Sequence, residues 1–167
     1  MIAHKVLGPD RRSRFSRFVW PSPEAADPWV TAEPVDPCRA GIHACRIEML
    51  PIWLGAELWQ VELDGEIVED ERKIVASRGR LVRRIDDWNT DTKLEFADAC
   101  AAEARRRVAI APELGAYADD LIALRADAPL VGFVGRRLAE RHEGPDGYDA
   151  ERMRQARWLE ARLRLNP

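Results

Sequence analysis

Apolar and polar residues alternate over residues 57–63, with Trp59, Val61 and Leu63 on one side and Gln60 and Glu62 on the other. That period of two predicts a strand with one face in a core. The same reading predicts a first strand at 3–7, ended by Gly8-Pro9, and a short edge strand at 29–31. It also predicts a strand at 42–45 entered through Gly41. Asp64-Gly65 is a turn signal. Residues 73–85 are β-prone and read as one bent strand or as a hairpin about Arg78-Gly79. Between these, residues 46–54 predict a short helix made irregular by Pro51, and Pro21, Pro23, Pro28, Pro34 and Pro37 hold their segment extended.

Near residue 90 the period changes. Thr92 and Glu95 fit a capping box, and the apolar positions that follow predict a helix to about Val108. Helices are further predicted over 113–125, from Pro129 to Leu138, and over 150–165 with Asp149 as its cap, after a break at Gly144-Pro145-Asp146-Gly147. Strands first and helices second predict an α+β fold: a small, mostly antiparallel, twisted sheet in the N-terminal half with helices in the C-terminal half. The expected division is a β-rich domain at 1–88 and a helical region at 89–167, packed on or beside it.

The 167 residues are 46% hydrophobic and 33% charged, enough apolar material for a folded core and unlike a disordered chain. The net charge of −3 argues against general attraction to nucleic acid. There is no run of eighteen apolar residues to span a membrane and no apolar stretch of signal-peptide type at the N-terminus, which predicts a protein without a membrane partner. Three cysteines are too few for a disulfide scaffold and suit a reduced, cytoplasmic setting.

Chemistry concentrates in Cys38-Arg39-Ala40-Gly41-Ile42-His43-Ala44-Cys45. Residues two apart on a strand share a face, so His43 and Cys45 are expected to stand side by side, with Cys38 folding back across the Gly41 bend. Cys38, His43 and Cys45 are the candidate metal ligands, since thiolate and imidazole suit zinc, although C-x4-H-x-C is not a standard zinc spacing. The structural alternative makes Cys45 a small buried hydrophobe and His43 a core histidine. Trp20, Trp29, Trp53, Trp59 and Trp88 suit either a pocket for a flat ligand or the core of a small sheet domain. Arg11, Arg12, Arg14 and Arg17, interleaved with Phe15, Phe18 and Trp20, suit contact with phosphates and bases, or a basic loop whose rings pack on the sheet. Glu69-Asp70-Glu71 reads as a solvated run. No phosphate-binding glycine loop, nucleophile elbow or H-E-x-x-H helix is present.

The Cys-to-Cys motif, followed by Leu58-Trp59-Gln60-Val61-Glu62-Leu63 and Lys73-Ile74-Val75-Ala76-Ser77, resembles a group of small bacterial and phage domains of unknown function. The likeness covers residues 36–85, with Ile42 where Phe is commoner, and implies no activity. A fainter likeness, in order of elements alone, is to ADP-ribosyltransferase-like folds. It implies NAD as cofactor, His43 orienting the nucleotide, Glu62 stabilising charge, and His4 and Trp59 in the pocket. The expected function is a binding or accessory module for a protein or small-molecule partner, with its polar focus at His43 and Cys45. The alternatives are an NAD-dependent transferase and a zinc-stabilised structural domain.

Overall fold

The computed structural model describes residues 1–37 and 39–165. They form two compact units, one of Met1–Leu50 with Gly55–Asp86 and one of Pro51–Leu54 with the chain from Asp87 onward. The architecture is α+β, an antiparallel sheet followed in sequence by helices.

The sheet comprises β1 (Ile2–Leu7), β2 (Val30–Thr31), β3 (Ile42–Ala44), β4 (Glu57–Glu69) and β5 (Ile74–Arg84). β4 lies between β1 and β5, and the other edge of β5 takes β2 opposite Arg78 and Gly79 and β3 opposite Ile74, Val75 and Ala76. β3 then reaches β1. His4 and Cys45 exchange both backbone hydrogen bonds, at 2.9 and 2.8 Å, so the path β1-β4-β5-β3 closes into a ring. Alternation sends Trp59, Val61 and Leu63 of β4, Ala3 and Leu7 of β1, and Ile42 and Ala44 of β3 into one core with Trp20.

Asp64-Gly65 is not the hairpin turn that its dipeptide suggests. β4 runs on through it to Glu69, and the pairing with β5 shifts between Asp64 and Ile67, a β-bulge. Gly65 has φ +74°, and a Cβ there would collide with Ser77 Oγ, which accepts the Glu66 N–H at 3.0 Å. The chain reverses instead at residues 70–73, where Asp70 N donates to Lys73 O at 2.9 Å. β5 is a single long strand, the first of the two readings of 73–85.

After a 3-10 turn at Ile47–Met49 comes the short α1 (Leu50–Trp53). The helical unit then contains α2 (Thr90–Val108), α3 (Gly115–Ala123), α4 (Ala128–Glu143) and α5 (Pro145–Leu163). The cap of α2 is Asn89, whose Oδ1 accepts the Thr92 N–H at 3.1 Å, so Thr92 lies inside the helix rather than before it. α5 begins five residues before the expected start, because Gly144 at φ +79° ends α4 and Pro145 is tolerated in a first helical turn. α4 packs on both α2 and α5. A buried polar network ties them: Glu151 accepts from Arg107 at 3.2 Å and from Arg154, while Gln155 joins Arg136 at 2.6 Å and Gly132 O at 3.1 Å. Every partner is satisfied within the network, as such burial requires.

Candidate functional site at the end of strand β3

The site starts from Gly41. Its φ of +102° is left-handed backbone, and a Cβ there would stand 2.6 Å from Val75 Cγ1 and 3.3 Å from Ala76 O. Only a residue without a side chain lets β3 dock this closely on β5. Gly41→Ala is therefore expected to lower the unfolding free energy by about 2–4 kcal/mol, within the range for strain plus core overpacking. Urea denaturation followed by tryptophan fluorescence checks it; an unchanged midpoint would mean that the close approach is not needed.

Past Gly41, Ile42 and Ala44 enter the core, while His43 and Cys45 face outward. The expected shared face of His43 and Cys45 is present, but the nearest cross-strand partner of Cys45 is His4. His4 stands opposite Gln60, and Gln60 opposite Arg83, so Cys45, His4, Gln60 and Arg83 make one row across the ring. Arg83 Nε donates to Gln60 Oε1 at 3.3 Å. His4 is only 4% exposed, and its Nδ1 is the one buried side-chain polar atom without a hydrogen-bond partner among the described residues. Burial, helped by Arg83, pushes its pKa down to about 4, so the ring is neutral at pH 7. Cys45 is equally sealed, and burial pushes its thiol up to about 12. Such a thiol is protonated and is not a nucleophile.

Lys5 is on the opposite, inner face of β1, with Trp59 across from it on β4. Its Nζ donates to His43 O at 2.7 Å and lies 4.7 Å from the centre of the Trp20 ring. No carboxylate pairs with it among the described residues, and burial brings its pKa down to about 8. The hydrogen bond ties the barrel interior to the backbone of the motif. His43 is half-buried; desolvation, then the charges of Lys5 and Lys73, lower its pKa, against a hydrogen bond with the Gly41 backbone. At neutral pH it offers an uncharged imidazole.

Beyond Cys45 the chain turns along a cavity of about 270 Å³. Its walls are Arg46, Glu48 and Met49 from the segment after β3, and Glu69, Asp70, Glu71, Lys73 and Ile74 from the β4–β5 reversal. Arg46 pairs with Glu69 across it. Four carboxylates face two cations, and Met49 and Ile74 give an apolar side. Of the residues that line the cavity, Glu48 raises the pKa of His4 and of Cys45 slightly against the larger effect of burial on His4, and Lys73 helps to lower that of His43.

Comparison with protein-family models, with curated proteins and with solved structures yields no match. The chemistry therefore rests on the residues themselves.

Glu62 stands away from His43. Glu62 pairs with Arg80, whose Nε and second guanidinium nitrogen lie 2.8 and 2.7 Å from Oε2. On β5, Arg80 is five residues from Val75, the partner of His43, which is about 16 Å along an extended strand. Trp59 is a core residue, 6% exposed, and its Nε1 donates to Glu57 at 2.9 Å. Of the five tryptophans considered, Trp20, Trp59 and Trp88 are core residues. Cys38 lies outside the described residues, and among those described no group of three His, Cys, Asp or Glu side chains is placed to hold a metal ion. Among the described residues no helix is long and apolar enough to cross a membrane.

The sequence reading missed Lys5, Glu48 and Lys73. Lys5 had a signal, since alternation along 3–7 puts it on the same face as Ala3 and Leu7. Glu48 and Lys73 had none, because they are brought together only by the pairing of β3 with β5.

Proposed function

We propose that the β-rich unit is a binding module that takes up a small cationic group, an amine or a guanidinium, in the cavity beside His43 and Cys45. The observation that carries this reading is the surplus of carboxylates, Glu48, Glu69, Asp70 and Glu71 against Arg46 and Lys73, around a space of about 270 Å³. A cation entering it gains charge-assisted hydrogen bonds, while Met49 and Ile74 cover its alkyl part. The module reading is further supported by what the neighbouring groups offer. The Cys45 thiol is sealed and protonated, and Glu62 is held by Arg80. His43 remains as a neutral donor and acceptor at the edge of the site.

Isothermal titration with agmatine and with putrescine at 20–50 mM salt, on the order of the low ionic strength that favours surface charge pairs, tests the proposal. Saturable binding is expected, weakened about tenfold or more in Glu48→Gln/Glu71→Gln, since each lost charged hydrogen bond is worth about 1.5 kcal/mol or more. Heats indistinguishable from dilution for both amines, with the folded protein confirmed by circular dichroism, would overturn it.

A further inference from the structure

The segment Arg11–Trp20 is independent of that cavity and is built as a rigid projecting hairpin. Arg12 bridges Val19, Ser13 N donates to Phe18 O at 2.8 Å, and Trp20 N donates to Arg11 O at 3.0 Å. Its base is locked from below. Both oxygens of Glu57 accept backbone N–H groups, from Asp10 at 3.1 Å and Arg11 at 3.2 Å, and Trp20 is buried with its Nε1 on Ser13 Oγ at 3.0 Å. Arg11 Nε caps Trp20 O at 3.1 Å, and Arg12 reaches Arg17 O at 3.3 Å. Asp10, Arg11 and Arg17 hold left-handed backbone at φ 59°, 56° and 58°. Such conformations in non-glycine residues cost energy and persist only where surrounding contacts enforce them.

All this structure presents a bare tip. Phe15 is 89% exposed, and Phe18 and Val19 are each 45% exposed. The reading in which the aromatics of this loop pack on the sheet holds for Trp20 alone. Four arginines lie within Arg11–Arg17, no acidic residue occurs until Glu24, and the Arg17 guanidinium has no ion-pair partner among the described residues. The net charge of −3 is an average over the whole chain and hides this local excess.

We propose that the hairpin tip is a docking surface for a single-stranded nucleic acid segment, with one unpaired base stacked on Phe15 and a flanking phosphate held by Arg17. A ring open to solvent at a hairpin tip is a stacking platform, and base stacking on such rings is tolerant of sequence. The guanidinium two residues after the ring supplies positive charge that a phosphodiester backbone needs. An anionic bilayer is the less fitting occupant. A membrane-inserting tip needs a continuous apolar patch, and here Ser16 and Arg17 separate Phe15 from the exposed Phe18 and Val19, with Arg14 on its other side.

Fluorescence anisotropy with a labelled 12-mer of deoxythymidine, at 50 mM salt and then at rising salt, tests the surface. Saturable binding is expected, with Phe15→Ala weakening it about tenfold and Phe15→Trp restoring it. Arg17→Gln is expected to flatten the logarithmic salt dependence by about 0.7. Both side chains are exposed, so the thermal midpoint should not move. Absence of saturable binding to the wild-type chain, or equal affinity of Phe15→Ala, overturns the proposal. Binding of anionic phosphatidylserine vesicles that depends on Phe15, with no such dependence for the oligonucleotide, assigns the tip to a membrane surface instead and equally overturns it.

Discussion

Replacing Glu57 by alanine is expected to cost about 2 kcal/mol of stability or more, because the buried Trp59 indole N–H is left without a partner, at about 1–3 kcal/mol, and two part-buried backbone donors lose theirs. Glu57 is 8% exposed and accepts three hydrogen bonds, from Asp10 N, Arg11 N and Trp59 Nε1, with Arg84 at 3.8 Å. The two backbone donors belong to consecutive residues in left-handed conformation. The substitution thus acts at two levels: it strands the Trp59 indole in the core and releases the strained base of the Arg11–Trp20 hairpin. Glu57→Gln keeps one acceptor oxygen and should lose about half as much. Chemical denaturation gives the energies, and limited trypsinolysis after Arg14 and Arg17 should accelerate in the alanine variant. A loss under about 1 kcal/mol would mean that these donors find water instead.

The second large effect is a loss of stability in mild acid. His4 has its pKa lowered from 6.5 to about 4 by burial. The unfolded chain therefore binds the proton between those values while the folded chain refuses it. The stabilising contribution is complete above pH 6.5 and is lost as the pH falls towards 4, at about 1.4 kcal/mol per unit, in all about 3 kcal/mol. His4→Leu removes this titration and should reduce the slope of the stability profile between pH 6.5 and 5.5, above the main carboxylate range, leaving the part that His43 contributes. A variant that keeps the wild-type slope would show that His4 is charged and solvated in the folded state.

Much of the sheet is legible in the alternation of single segments. Residues 42–45 and 57–63 carry their own faces, and the structure uses those faces as read, while 3–7 forms the first strand that was expected. What was not legible is set by partners distant in sequence. The bulge at Gly65 exists because Ser77 Oγ, twelve residues away, takes the Glu66 N–H; the dipeptide Asp64-Gly65 by itself signals a turn. His4 and Cys45 are forty-one residues apart and meet only because β1 and β3 close the ring. The cluster Cys38-to-Cys45 is one stretch of sequence, yet Lys5, which hydrogen-bonds to the His43 carbonyl, and Lys73, whose charge acts on His43, belong to others. In the helices, Gly147 reads as a breaker. It lies inside α5 because a Cβ there would collide with Ala139 O of α4, a helix contact that a single-segment pattern does not record.

The cavity at the end of β3 is proposed as a receptor for a cation. Its most direct measurement is a nitrogen–proton correlation spectrum of the labelled protein titrated with agmatine. Saturating shifts confined to the amides of Arg46, Glu48, Asp70, Lys73 and Ile74, extending to Cys45, are predicted. Shifts that track ionic strength alone, or that fall elsewhere on the chain, would contradict it.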